Sequence, residues 1–391
     1  MSIAQLDVES VRSRFTALRN PFLFFDGPSG TQMPDEVIAA IVKYLHEANA
    51  NMGADFETSR RTTETYIAAR AAAARFFSCS DREVIFGPNM TSLNFMLTRT
   101  LGRTLAAGDE IVSTKLDHDG NVSPWLELAR DLDLTVRFAD LTAEGTLDLD
   151  SLQALIGERT RVVSFPWAAN SIGTKTDARA VTELAHASGA LSWVDAVHYA
   201  SHGPIDVAAL GADVVLCSAY KFCGPHIGVA YARAELLESW RPYKVRPAPD
   251  EPLGFRFESG TPQYEALAGF SAAIDYLDSL GGFAGIVPHE EALGERFLAG
   301  LPEAYTLYGP AGMDGRVPTF AFNHSDLDAH DVAHGLIERG INAGAGNYYS
   351  PGVMESLGIE SAVRVGITHY NTEQEVDRLL EALDEVAAHA S

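Results

Sequence analysis

The stretch RVVSFPWAANSIGTKTDARAVTELAHASGALSWVDAVH, residues 161–198, decides the fold. RVVSFPWA is a short, nearly unbroken apolar run and reads as a buried strand. DARAVTELAHASG has helical spacing and stops at Gly189, as a capped helix does. ALSWVDAVH is a second apolar strand. Strands apolar on both faces, joined through a helix, indicate a mostly parallel sheet covered on each side.

The alternation extends in both directions from there. EVIFG, DEIVST and LTVRFADL read as strands before it, and ADVVLCSAY and GVAYAR as strands after it. Helices are expected at TSLNFMLTRTLGRTL, around SPWLELARDL and at DLDSLQALIG. The pattern predicts an α/β large domain over residues 20–262 with a mostly parallel, seven-stranded sheet. Beyond residue 262 the pattern changes to the long helices YEALAGFSAAIDYLDSL and HEEALGERFLAGL. They are followed by VPTFAFN (strand), DAHDVAHGLIERG (helix), AVRVGI (strand) and TEQEVDRLLEALDEVAAHA (helix). A smaller α+β domain is expected over 263–391, together with 1–19.

Composition bounds the function. The 391 residues are 46% hydrophobic and 21% charged, as in a globular protein. No apolar run reaches the roughly 18 residues of a membrane span. The opening MSIAQLDVESVRSRF lacks the apolar core of a secretory signal, so a cytoplasmic location is expected. A net charge of −24 argues against nucleic acid as a partner. Cys79, Cys217 and Cys223 make neither a disulfide framework nor a metal pattern.

In open α/β sheets ligands sit beyond the carboxyl ends of the strands. Polar residues at those ends are Asn89 and Thr91, His118, Asn170, Asp195 and His198, then Ser218 and Lys221. Lys221 lies in an uncharged stretch, where lost solvation favours a neutral, nucleophilic amine. The alternative is a surface lysine with a buried stem. Asp195 ends an apolar strand and needs a cationic partner or a helix to cap. Pyridoxal phosphate explains both: its aldehyde forms a Schiff base with a lysine, and its ring nitrogen stays protonated against a carboxylate. GPNMTSLN, with Asn89, Met90 and Thr91, runs from a strand into a helix, a place where backbone N–H groups hold an anion. Ser218 adds a hydroxyl, and His118 is either a ring-stacking residue or a hydrogen-bonded loop residue. Arg364, in the strand AVRVGI, wants an anion: a substrate carboxylate or an internal acid.

These segments together resemble the fold-type I pyridoxal-phosphate enzymes of the class V aminotransferase and cysteine desulfurase family. The resemblance covers nearly the whole chain. FFDGPSGTQMP is similar to that family's opening segment and GPNMTSLN to its phosphate loop. LDHDGNVSPW resembles the segment whose histidine stacks on the cofactor, here His118. ANSIGT puts Asn170 near the phenolic oxygen. VDAVHYA gives Asp195 to the ring nitrogen and His198 to the position near that oxygen. SAYKFCGPHIG resembles the lysine loop, with Ser218, Tyr220 and Lys221. RFESGTP resembles the segment that reaches a partner subunit's phosphate, here through Gly260 and Thr261, which implies a homodimer. AVRVGITHYNT is similar to the family's arginine segment.

The chain departs from the family at two places. Desulfurases usually have a histidine before the lysine, where this chain has Tyr220. They also carry a mobile-loop cysteine that accepts sulfur as a persulfide. The matching region, GINAGAGNYYSPGV, offers Asn347, Tyr348 and Tyr349, and no cysteine follows Cys223. The resemblance therefore implies a cysteine desulfurase-like enzyme acting on a small amino acid, with carbon–sulfur β-elimination favoured. Lys221 is its expected general base, Arg364 holds the substrate carboxylate, and Tyr348 and Tyr349 line the leaving-group pocket or simply pack the loop. Transamination, epimerisation and carbon–carbon chemistry stay open, as does a non-catalytic binding or regulatory role.

Overall fold

The structure is a computed structural model and describes residues 6–388. Residues 1–5 and 389–391 of the expected small-domain span lie outside the described residues. Strand β1 (Leu23–Phe24) precedes the large sheet in the chain and stands outside it. That sheet is built from β2 (Val84–Gly87), β3 (Glu110–Thr114), β4 (Thr135–Ala139), β5 (Thr160–Pro166), β6 (Leu191–Asp195), β7 (Val214–Ser218) and β8 (Gly228–Ala232). Its strand order is β2-β8-β7-β6-β5-β3-β4. β3 to β7 pair parallel, and β8 runs antiparallel to both β7 and β2.

Side chains on a strand alternate between faces, so each apolar strand feeds two cores. Val215 and Cys217 join one cluster, while Val214 and Leu216 join another on the opposite face. Phe86 and Ile85 divide in the same way. This two-sided burial is why the strands are apolar throughout.

The smaller sheet is antiparallel. β9 (Tyr305–Tyr308), β10 (Thr319–His324), β12 (Gly344–Gly346) and β13 (Ala362–Gly366) lie in the order β12-β13-β10-β9. The two-residue β11 (Ile341–Asn342) pairs with β1 in parallel, which ties the N-terminal segment to the smaller lobe. Phe25 is buried in that lobe's core with Val363 and Val365. The helix Tyr264–Ser279 packs on the helices Asp35–Glu47 and Glu57–Phe77 and shares the large lobe's core. The smaller core begins with Leu293 and Phe297 of the helix Phe283–Gly300. Ile286, earlier in the same helix, still joins the large core, so this helix is shared between the two cores.

A buried ion pair holds one end of the large lobe. Arg70 Nη1 lies 3.1 Å from Glu258 Oε1, and both side chains are buried. Glu258 also accepts from Phe86 N at 3.1 Å and from Tyr66 OH, while Arg70 Nη2 donates to Val84 O at 2.8 Å. The acid therefore joins β2, the helix Glu57–Phe77 and the segment leading to Gly260. Burial is the largest influence on Glu258 and lifts its pKa to about 7 against the pull of Arg70. Replacing Glu258 by leucine strands the guanidinium in the interior. The expected loss is about 3–5 kcal/mol, read as a lower urea midpoint. Adding Arg70→Met should recover most of it, and equal midpoints for the single variant and wild type would contradict this account.

Candidate active site

Residues just beyond the carboxyl ends of β2, β3, β5, β6 and β7 meet Tyr348, Tyr349 and Arg364 around one cavity. The register brings Pro166 opposite Asp195 and Asp195 opposite Leu216, and it aligns Ser218 and Gly87 with Gly228. Gly228 is glycine for a reason: a Cβ there would sit 2.4 Å from the Asn89 backbone carbon. That contact lets the loop before the helix Met90–Gly102 lie close over the strand ends. A cavity of about 280 Å³ results. It is lined by Met90, Thr91, His118, Asn170, Asp195, His198, Ser218, Tyr220, Lys221, Tyr348, Tyr349 and Arg364, with Pro28 and Ser29 from the N-terminal segment among the rest.

Lys221 sits in a short 3₁₀ turn after β7 and is 8% exposed. Its Nζ donates to the carbonyl of Pro28 and lies 5.1 Å from the centre of the Tyr220 ring. Desolvation lowers its pKa to about 7; Arg364 adds to the shift and Asp195 opposes it. Asp195, 5% exposed, accepts from Val197 N at 2.9 Å through Oδ1. Among the described residues no donor bonds its Oδ2. Burial raises its carboxyl to about 6, against the attraction of Lys221. Each group is displaced toward its neutral form because water is excluded, and their mutual attraction only moderates this.

Two histidines line the cavity in neutral form. His118 caps the helix Asp119–Leu132 by accepting from Gly120 N at 2.9 Å through Nδ1. Burial brings its pKa down to about 4, so at neutral pH the ring proton belongs on Nε2. His198 pairs through Nε2 with Thr319 Oγ1 at 2.9 Å. Its Nδ1 is buried without a partner, and burial holds its pKa well below the usual histidine range.

The helix Met90–Gly102 opens on the cavity. Asn89 caps it by accepting from Ser92 N, and Met90 N donates to Ser218 Oγ at 2.9 Å. Among the described residues neither the Thr91 N–H nor its hydroxyl has a protein partner, and Ser218 keeps its own hydroxyl proton to donate. A helix N-terminus with free donors suits an anion.

Arg364 comes from β13. Val363 and Val365 face the smaller lobe's core, so the intervening arginine faces the other way, between Ala321 and Gly344 on the flanking strands. Its guanidinium donates to Asn170 O and to Ser29 Oγ, each at 2.7 Å, and lies 3.8 Å from the centre of the Tyr348 ring. It is 6% exposed, and among the described residues no carboxylate lies within ion-pair distance. Burial lowers its pKa to about 10, with Asp26 and Tyr348 opposing.

The turn Asn347–Ser350 closes one side. Asn170 Nδ2 donates to Tyr348 O at 2.9 Å, and Ser350 Oγ donates to Asn170 Oδ1 at 2.9 Å. Asp119 N donates to Tyr349 O at 2.6 Å. Tyr348 and Tyr349 both adopt left-handed backbone, with φ of 54° and 57°.

Not every expected residue reaches the cavity. The Asn89 side chain is taken up by its cap. Asn347 accepts from Tyr349 N through Oδ1 and shapes the turn from outside the lining. Gly260 and Thr261 are exposed and line other clefts, with Ser259 and Glu258. Pro28 and Ser29 were not anticipated as site residues. Pro28 acts through its carbonyl, which has no residue-type signature, and only the turn chemistry of GPSG marks the place.

The lysine titration is testable in cofactor-free protein by ¹³C reductive methylation and NMR. The Lys221 signal should titrate near pH 7, well below the roughly 10.4 of an ordinary lysine. Arg364→Leu should raise that midpoint, because it removes a repelling cation. Asp195→Asn should lower it, because it removes the attracting anion. A Lys221 signal titrating with the exposed lysines would refute the buried-amine account.

A family model described as class-V aminotransferase matches residues 23–379. A probable cysteine desulfurase of Streptomyces coelicolor is 33% identical over 97% of each chain. A cysteine desulfurase of Haloferax volcanii is 29% identical over 97% of this chain and 96% of its own. The apo structure of a cysteine desulfurase from Thermococcus onnurineus superposes with a TM-score of 0.93 at 28% identity, covering 100% of both chains. The S-sulfonic acid form of an Escherichia coli cysteine desulfurase gives 0.89 at 25% identity, over 99% of this chain and 100% of that one.

Proposed function

The chain belongs to the class-V aminotransferase family, and we propose that it is a pyridoxal-phosphate enzyme cleaving the carbon–sulfur bond of a cysteine-type amino acid by β-elimination. One observation carries the reading. A single cavity combines a desolvated lysine, a buried carboxylate and an arginine lacking an acid partner, and no cysteine lines it.

The residues present fit the cofactor. Lys221 is the anchoring amine and Asp195 the carboxylate for the ring nitrogen. His198 Nδ1 is a buried polar atom in want of a partner. Thr91 and Ser218 carry free donors for a phosphate, with His118, Asn170 and Tyr220 bordering the same space. When bound, pyridoxal phosphate supplies an electron sink that lets a proton leave the substrate's α-carbon and a leaving group leave its β-carbon.

The protein's own groups do the rest. With a pKa near 7, Lys221 Nζ is partly free base at neutral pH and takes the α-proton. Arg364 receives the substrate carboxylate as its missing counterion. Tyr348 beneath the guanidinium, and Asn170 and Ser29 at its edges, fix its orientation.

Sulfur has no protein acceptor at the site. Cys217 and Cys223 are buried outside the cavity lining, and burial pushes their thiols up, Cys223 to about 12. The leaving group therefore departs as free sulfide or thiol. For cysteine, the net reaction with water gives pyruvate, ammonia and hydrogen sulfide.

The proposed working form is a homodimer, with the turn at Gly260 and Thr261 meeting the partner's site. The support is the family resemblance of RFESGTP and the exposure of both residues away from their own cavity. Sedimentation of the holoenzyme at micromolar concentration should give the mass of two chains, and a monomer with full cofactor occupancy would refute this.

Holoenzyme incubated with cysteine and with S-substituted cysteines should release pyruvate, ammonia and the sulfur product in equal amounts. Lys221→Ala should lower the rate by at least about a hundredfold. The double variant Cys217→Ala/Cys223→Ala should keep releasing sulfide or thiol. A keto acid that retains its sulfur would replace elimination by transamination. Loss of sulfur release in the cysteine variant would restore a persulfide route.

A further inference from the structure

Tyr349 presents a combination that packing does not explain. The residue is 73% exposed, yet its ring lines the cavity mouth. Its backbone is in the left-handed region, which a bulky non-glycine residue rarely adopts without a compensating constraint. That constraint is present: Asp119 N holds its carbonyl at 2.6 Å, and Asn347 Oδ1 holds its N–H at 3.1 Å. The preceding residue is fixed as well, with Tyr348 O held by Asn170 and its hydroxyl donating to Ala362 O at 3.1 Å. The fold thus fixes the backbone that carries this exposed ring. The ring lies 5.5 Å from the His118 ring, tilted by 39°. Most of the ring remains open beside the mouth, and among the described residues only His118 makes a ring contact with it.

The cavity behind this ring has no thiol lining it to accept sulfur. A substrate whose sulfur already carries a substituent needs no acceptor, because its thiol leaves intact. Its substituent would extend outward, past the rim that Tyr349 forms.

We propose that Tyr349 is a specificity-determining residue, and that the substrate class is S-substituted cysteine bearing a planar or apolar group on sulfur. This inference rests on the elimination reading. In the reaction the Cβ–S bond breaks with its electron pair going to sulfur. Lys221 removes the α-proton, the thiolate leaves and is protonated, and water completes the conversion of the three-carbon fragment. The sum is RS–CH₂–CH(NH₃⁺)–COO⁻ plus water giving RSH, pyruvate and NH₄⁺. Stacking on Tyr349 favours aromatic R groups over small ones.

The test measures binding and turnover separately. Calorimetry with the cofactor-loaded Lys221→Ala variant compares S-benzyl-L-cysteine with S-methyl-L-cysteine. The benzyl compound should bind about fivefold more tightly, the scale of one added aromatic contact. Asparagine tolerates left-handed backbone, so Tyr349→Asn in the same background should erase the ratio without distorting the turn. Tyr349→Phe should preserve it. An unchanged ratio in Tyr349→Asn, or a preference for the methyl compound, overturns the proposal. Turnover by the enzyme with Lys221 intact keeps the two readings apart. Thiol and pyruvate release without any dependence of the ratio on Tyr349 leaves elimination standing and sinks the specificity assignment. A Tyr349-dependent ratio with no thiol released from either compound sinks elimination, and the substrate class with it.

Discussion

The site depends on one constraint: a lysine amine, a carboxylate and a guanidinium share a space that water barely enters. In water each would be fully charged at neutral pH. Here burial lowers Lys221 to about 7 and raises Asp195 to about 6, while Arg364 stays cationic even when lowered to about 10. A permanent cation beside a lysine whose proton is easily lost gives the two groups different tasks. The arginine attracts an anion at any working pH, and the lysine exchanges a proton. The carboxylate, raised by burial, gains from a cation placed beside it. None of these properties belongs to the residues alone; each follows from the packing of two lobes around them.

That packing converges on Asn170. Its carbonyl accepts from Arg364, its amide nitrogen holds Tyr348, and its amide oxygen accepts from Ser350. A residue following β5 of the large sheet thus grips both the arginine and the turn of the smaller lobe. The N-terminal segment adds a second clasp. It pairs with β11 and then places Pro28 against Lys221 and Ser29 against Arg364. The site is complete only where these three stretches of chain meet.

Much of this was legible in the sequence, and the reasons are specific. Parallel strands announce themselves by being apolar on both faces, and the polar residues just beyond them had to share one rim. Lys221, Asp195, His118, His198 and Arg364 were found that way or through the motifs around them. Other features follow from contacts that residue type and local pattern do not signal. Pro28 contributes a carbonyl, which any residue supplies. The Asn89 side chain caps the helix that begins there, which leaves the backbone N–H groups of the turn to face the cavity. The helix Tyr264–Ser279 follows the large lobe's last motif, and its partners are helices some two hundred residues earlier, a relation no local pattern encodes. Gly260 and Thr261 sit on an exposed turn whose neighbours a single chain does not contain.

The absence of a thiol from the cavity lining has a further consequence. A reaction centre built on a thiolate is open to peroxide, to alkylating agents and to mixed disulfides, and needs reductants to stay in service. In the proposed reaction the working side chain is an amine, and the thiols of Cys217 and Cys223 lie within packed interior with almost no solvent access. If thiols are among its products, the protein can release them without being trapped in disulfides at its own site. The proposed chemistry is thereby uncoupled from the thiol–disulfide balance of its surroundings.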